Sequence, residues 1–376
     1  MTNKKPLCAV PWSEVYHKTE GRFENCCSAD PKSLSQVGQS VESWWHGKEM
    51  MAFRTSLTGD SLPNACHRCT LSELATGKSL RTETNKQVNL KSLKVEYPSR
   101  WNLSFGNTCN LGCFICDEAS STVIENHKRK LQMLPIGFVS PRETFKKQWP
   151  SLYKSVLKSY DYHDIVNIRV LGGEPLYNKD VLSFLQNLID LKLSNRTKLE
   201  FDTNATTHNK QIQKILGDYK IYNTWKHISM HCSLDAIGKK AEWLRWGTKW
   251  DIIERNIEQF KRYGMYLEVH CTTSILSVMD LPMLKKWCET RNLPLRIGTV
   301  SHPDFLSLQN WPGDKDLLCD RHEMEQAGLL EYYNLIGSDK DTETPMKLKS
   351  YLNRLSTMRE SLRLYDKKLA EVFDVD

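Results

Sequence analysis

The sequence predicts an α/β chain: a partial, splayed (β/α)6 TIM-like barrel, with a small cysteine-rich segment before it and helices after it. Three observations predict this. From residue 100 onward, short β-branched apolar runs alternate with amphipathic helical stretches, the pattern of parallel strands with helices outside. Six such units are too few to close as eight do. Eight of the twelve cysteines lie before residue 117, so the early part of the chain carries a different chemistry from the rest.

With 376 residues, 40% of them hydrophobic, the chain can bury a sizeable core. Mean hydropathy is −0.52, and no apolar run approaches the roughly 18 residues of a membrane helix. The opening Met1-Thr2-Asn3-Lys4-Lys5-Pro6 lacks the apolar core of a signal peptide, so a cytoplasmic location is expected. A net charge of +7 permits an acidic or nucleic-acid partner but does not argue for one, and neither nucleic acid nor membrane is expected as a partner. The run His127-Lys128-Arg129-Lys130 reads as a solvated helix face. In a reducing compartment, clustered cysteines read as metal ligands and scattered ones as small core residues. Cys232, Cys271, Cys288 and Cys319 are of the second kind.

Residues 1–85 are punctuated and weakly periodic. Cys8 and Cys26 flank Gly21, which would turn a hairpin whose arms carry the two cysteines, with Val15, Tyr16 and Phe23 as strand residues. Cys66 and Cys69 form a C-x2-C pair, able to chelate one metal from a tight turn. Together they make a four-thiolate set, for an iron–sulfur cluster or for zinc. Cys27 is the alternative to Cys26; on an extended arm the two face opposite ways, and spacing favours Cys26. Trp44 and Trp45 read as core of this small domain. Residues 86–100 are a connector.

Six strands follow, expected at 101–105, 165–171, 198–203, 227–234, 266–273 and 294–299. Helices are expected at 140–159, 179–193, 209–219, 251–263 and 280–291. The barrel domain is thus 100–300, and residues 301–376 close its mouth and add one or two amphipathic helices. Their apolar stripe is Leu348, Leu352, Leu355, Met358, Leu362, Leu369 and Phe373. His302 reads as a loop histidine of no special role.

Chemistry in such folds sits at the C-terminal ends of the strands. The loop leaving the first strand there holds Cys109, Cys113 and Cys116, spaced C-x3-C-x2-C. Three thiolates holding a [4Fe–4S] cluster leave one iron open for a substrate or cofactor. The rival reading is a zinc knuckle with a distant fourth ligand, although zinc motifs favour paired C-x2-C units. The second strand ends in Gly172-Gly173-Glu174-Pro175, where paired glycines admit a ligand close to the backbone. Asn204, Ser233 and Asp235 stand at neighbouring rims, with loop capping as the plain alternative. Arg245 offers a planar fork for a carboxylate, or is a surface or aromatic-stacked arginine.

On these residues the chain resembles the radical S-adenosylmethionine (SAM) superfamily over about residues 100–300. The C-x3-C-x2-C loop and the Gly-Gly-Glu-Pro strand end are that family's two hallmarks. The resemblance implies a [4Fe–4S] cluster on Cys109, Cys113 and Cys116, with SAM chelating its open iron. Gly172, Gly173, Glu174 and Pro175 match the SAM amino-group motif. Ser233 and Arg245 fall where peptide-modifying members place ribose and carboxylate contacts, and Asn204 matches a third-strand Thr-Asn motif. The N-terminal segment resembles the twitch module, a shortened SPASM domain, which implies one auxiliary [4Fe–4S] cluster on Cys8, Cys26, Cys66 and Cys69. In well-known members that module follows the barrel; here it precedes it, as in phage and bacterial twitch-type proteins.

The resemblance implies an enzyme that reductively cleaves SAM to a 5′-deoxyadenosyl radical, which abstracts hydrogen from a substrate. A peptide or protein is expected first, with the auxiliary cluster assisting oxidation or cross-linking. Oxidation of a small alcohol or sugar by the same chemistry is the alternative, and a zinc-stabilised binding module is the non-catalytic one. A flavodoxin or ferredoxin would supply electrons.

Overall fold

The computed structural model describes residues 7–29, 35, 38–88, 96–217, 219–356, 361–364, 366–373 and 375. Its strands are β1 (Glu14–His17), β2 (Phe23–Glu24), β3 (Arg100–Ser104), β4 (Gly112–Cys113), β5 (Val166–Leu171), β6 (Thr197–Thr203), β7 (His227–Ser233), β8 (Arg245–Trp246), β9 (Tyr266–Thr273) and β10 (Leu295–Thr299). All but β4 and β8 belong to the mostly parallel main sheet. With a helix after nearly every barrel strand, this is the α/β succession of a partial (β/α)6 barrel. The chain divides into two compact units.

The first unit comprises Met1–Thr108, Ile136–Phe201 and Tyr219–Ile228. Its strands run in the order β6-β5-β3-β1-β2, parallel except for the β1–β2 hairpin. β5 alternates: Val166, Ile168 and Val170 are buried, while Asn167, Arg169 and Leu171 are half-buried. That is the period-2 signal that made the strand legible. Phe105 stacks within 4.8 Å of Phe145 and 4.9 Å of Trp149, pinning the helix Pro141–Tyr162 to the sheet. Aromatic pairs of this kind add about 0.5–1.5 kcal/mol beyond their buried area.

Two expectations for the N-terminal segment need correction. The hairpin at Gly21 exists, with Gly21 at φ +79, but its arms do not carry the cysteines. Cys8 precedes a short helix, Val10–Ser13, and Cys26 lies two residues past β2. The first arm, β1, instead joins the main sheet, pairing Glu14 with Arg100 through His17 with Leu103. Four further helices also form here: Val41–Trp45, Lys48–Ser56, His67–Thr76 and Leu80–Gln87. In the helix Lys48–Ser56 a charged residue fills a core position, which breaks the apolar spacing. Arg54 is buried, donating from Nε to the Pro11 carbonyl (2.8 Å) and from Nη1 to that of Trp45 (2.6 Å), with its guanidinium over the Trp45 ring. Trp44 and Trp45 are both core residues, as expected.

The second unit comprises Cys109–Pro135, Asp202–Asp218 and Ser229–Asp376. Its main-sheet strands run β10-β9-β7, all parallel. β9 buries Leu267, Val269, Cys271 and Thr273 on one face and half-exposes Glu268, His270 and Thr272 on the other. The helix Trp250–Arg262 buries Ile253, Ile257 and Phe260. β4 and β8 form a separate two-residue antiparallel ribbon. The C-terminal stripe folds as two helices, Thr344–Leu355 and Lys367–Phe373. Leu348, Leu352, Leu355, Leu362, Leu369 and Phe373 are buried; Met358 lies outside the described residues. Cys232, Cys271, Cys288 and Cys319 are all buried. Among the described residues, no helix is long and apolar enough to cross a membrane.

Candidate active site

The cysteine loop is built in the second unit. Cys109 is tied at both ends of its peptide to Thr122: its N–H donates to Oγ1 (3.1 Å), and that hydroxyl donates to the Cys109 carbonyl (2.9 Å). Ser121, the residue capping the helix Thr122–Lys130, donates to the Leu111 carbonyl at 2.6 Å. The loop is thus stitched to the start of the next helix. Cys113 lies in β4, and the Tyr351 hydroxyl donates to the Phe114 carbonyl. Cys109 and Cys113 are buried and Cys116 half-buried. The thiol of Cys116 is pushed well above its usual range by its hydrogen bond with Cys113 and by burial. The N–H of Leu111 already donates to Cys109 Sγ at 3.4 Å, the kind of contact that stabilises a metal-bound thiolate.

The β4–β8 ribbon explains Arg245. Register sets Cys113 opposite Arg245 and Gly112 opposite Trp246. Arg245 is buried, not on the surface, and its Nη2 lies 2.8 Å from the Asp235 carboxylate. Its Nη1 lies 3.8 Å from Cys113 Sγ. Burial works against the guanidinium charge, but Asp235 and the nearby thiols outweigh it and hold the group firmly charged. Its Nε is buried without a hydrogen-bond partner, so a donor remains for an anionic oxygen. Asp235 also accepts from the Thr272 N–H at 2.9 Å. The sequence marks Asp235 only as a rim residue; its role as the arginine's counterion depends on a two-residue ribbon that no periodicity reveals.

Asn204 closes a ring of side chains onto the same loop. Its Nδ2 donates to Asn110 Oδ1 (3.1 Å), Asn110 donates to Thr206 (2.8 Å), and Thr206 donates back to Asn204 Oδ1 (2.6 Å). Asn110 and Thr206 carry no signal of their own in the sequence. Ser233 ends β7 half-buried, in register with His270 of β9. Beside the loop, a cavity of about 460 Å³ is lined by Cys113, Cys116, Ile115, Phe305, Tyr351 and Arg354 among others, including His302.

The Gly-Gly-Glu-Pro turn belongs to the first unit. Gly172 (φ +86) packs so closely that a Cβ there would sit 2.5 Å from the Gly106 carbonyl oxygen. At Gly173 (φ +58) it would sit 2.2 Å from that of Thr108. Only glycine fits either position. The turn is therefore pressed against the chain entering the cysteine loop, and the Glu174 N–H donates to the Thr108 carbonyl at 2.8 Å. Glu174 is fully buried and accepts from the Leu176 N–H at 3.0 Å, which caps the turn. Pro175 is buried beside it.

Also in the first unit, Cys8, Cys26, Cys66 and Cys69 line one small cavity with Phe53, Leu57 and Arg81. Cys66 ends a 3-10 turn and Cys69 lies in the first turn of the helix His67–Thr76. Cys27 does not line the cavity and is exposed. Residues past β2 bend, so Cys26 and Cys27 are not split across two faces of an extended arm. Their thiols hydrogen-bond, which raises Cys26 and lowers Cys27. Burial pushes Cys8 up to about 12. Arg81 stands beside these thiols, paired with Glu73 and donating to the Leu7 carbonyl at 2.9 Å.

Residues 103–279 match the model of the radical SAM superfamily. A curated relative, the probable GTP 3′,8-cyclase of Methanocaldococcus jannaschii, is 23% identical over 199 residues, 52% of this chain and 56% of that protein. The chain thus spans about half the length of the relative it matches. Among solved structures, native anSMEcpe with bound AdoMet aligns with a TM-score of 0.41 at 18% identity, covering 59% of this chain and 58% of that one. SuiB of Streptococcus suis bound to S-adenosylmethionine aligns at 0.40 and 16%, covering 84% and 68%. The family implies a [4Fe–4S] cluster and SAM. The match to the radical SAM superfamily model covers just under half of the chain.

Proposed function

We propose that this chain is a radical SAM enzyme that oxidises or cross-links a peptide or protein, holding its catalytic [4Fe–4S] cluster on Cys109, Cys113 and Cys116. The observation that carries this is the loop itself: three thiols gathered on one stitched loop, with the buried cation of Arg245 in register with the middle one. A cluster bearing three thiolates is anionic, and a buried guanidinium offsets that charge. Arg245 Nε supplies a donor for the SAM carboxylate, and Ser233 for its ribose. The resemblance assigns the SAM amino group to the turn Gly172-Gly173-Glu174-Pro175 of the first unit, where only glycine fits the first two positions. Asn204 holds the loop through Asn110. When bound, the cluster and SAM supply one-electron reductive cleavage to a 5′-deoxyadenosyl radical.

The four thiols of Cys8, Cys26, Cys66 and Cys69 suit one auxiliary [4Fe–4S] cluster, in keeping with the resemblance to a twitch module. A second electron-accepting site favours net oxidation or cross-linking, and a flavodoxin or ferredoxin fits the need for a donor. A small-molecule substrate is the second reading, favoured by the matched relative's name as a GTP cyclase.

Anaerobic purification tests the cofactor set. A brown protein with about eight irons and no zinc is expected; a colourless zinc protein overturns the reading. Mass spectrometry of candidate peptides after turnover then tests the substrate class. Loss of about two mass units signals oxidation or cross-linking, since two hydrogens leave; unmodified peptide beside continued SAM cleavage overturns the peptide reading.

A further inference from the structure

One face of the second unit's strands, buried at His231 and half-buried at Asp202 and His270, carries a cluster that the SAM chemistry does not use. Asp202 at the end of β6, His231 on β7 and His270 on β9 place one potential ligand atom each within 4.8 Å of the others. His231 Nδ1 lies 2.9 Å from Asp202 Oδ1. His270 Nε2 donates to Glu268 Oε2 at 2.8 Å. The imidazole rings stack at 4.4 Å between centroids, 13° from parallel. Strand register builds this: His231 pairs with Glu268, and His270 stands one pleat further along the same face.

We propose that Asp202, His231 and His270 form a binding site for a divalent transition-metal ion, separate from both cysteine sets. Two imidazoles and one carboxylate are the donor set that borderline cations such as zinc and ferrous iron prefer. Glu268 takes the Nε2 proton of His270, which fixes the tautomer and leaves Nδ1 with its lone pair, the usual way a carboxylate orients a metal-binding histidine. A cation here displaces the proton that His231 and Asp202 share. Turning one ring about its soft terminal torsion converges the two lone pairs, which the stacked pose leaves side by side. Three protein ligands leave a fourth position for water or a substrate oxygen.

The test uses zinc on the anaerobically purified, cluster-loaded chain, followed by desalting, metal analysis and zinc-edge X-ray absorption. One added zinc per chain is expected, with nitrogen and oxygen neighbours at about 2.0–2.1 Å and no sulfur shell. His231→Gln and His270→Gln should each abolish retention of that zinc at unchanged iron content. Glu268→Gln, which keeps the shape and both histidines, should weaken it about 10–100-fold. His322→Gln, on an exposed helix, should change nothing. No retained zinc, zinc on sulfur at about 2.3 Å, or undiminished zinc in the histidine variants overturns the proposal.

Discussion

Arg245 and Asp235 form an ion pair at 2.8 Å with side chains 8% and 0% exposed. Arg245 also stands in register with Cys113. A buried pair is weak evidence of net stabilisation, but breaking one side strands a charge. Asp235→Asn is expected to cost about 3–5 kcal/mol in urea unfolding. Arg245→Met should cost a similar amount, and the double variant should recover much of the loss. Additive losses would mean that the two residues act independently.

Gly172 and Gly173 should be irreplaceable even by alanine. Each substitution meets backbone oxygen at 2.5 Å or less and adds the left-handed penalty of about 1–2 kcal/mol. A lowered urea midpoint, together with loss of SAM retention by the cluster-loaded protein, is the expected result. An unchanged midpoint would mean that the turn has room this packing denies it.

The auxiliary set yields a test between neighbours. Of Cys26 and Cys27, Cys26 lines the four-cysteine cavity, whereas Cys27 is exposed. Cys26→Ser, like the Cys66/Cys69 double alanine variant, should lose about four irons while SAM cleavage persists. Cys27→Ser should lose none. Iron analysis with the reverse pattern would move the ligand to Cys27.

These site residues differ in how legible they are in the chain. The barrel strands announce themselves through short apolar, β-branched runs, with burial alternating along β5, β6 and β9: β9 falls at the residues its alternation predicts, and the others shift by a residue or so at their ends. β1 is legible at its centre, Val15 and Tyr16, but its pairing with β3 is not, because its four residues are all buried and its outer two are Glu14 and His17. The cysteine loop and the glycine turn are legible because their chemistry is concentrated in a few consecutive residues. Asp235 as a counterion, the Asn110–Asn204–Thr206 ring and the His231–His270 stack are not. Each joins single residues from separate elements, and only the three-dimensional register brings them together.

Asp280 gives the fold a pH signature. Burial raises its carboxyl from 3.8 to about 7, partly offset by Lys240, and Oδ2 has no hydrogen-bond partner. A raised acid favours the folded state only while protonated. Its contribution is full below the unfolded value near 4 and is lost as pH rises through about 7. Asp280→Asn should therefore be more stable than the parent at pH 8, by about 2 kcal/mol or more, with the advantage shrinking toward pH 4. Urea unfolding at both pH values checks this; an advantage that grows on acidification would reverse the sign.

The most direct measurement is 5′-deoxyadenosine formation from SAM under dithionite, by the cluster-loaded chain and by the variant with Cys109, Cys113 and Cys116 all replaced by alanine. The parent should form 5′-deoxyadenosine and methionine together, and the triple variant none, while keeping the irons of the auxiliary set. Undiminished product from the triple variant would contradict the assignment of the catalytic cluster to this loop.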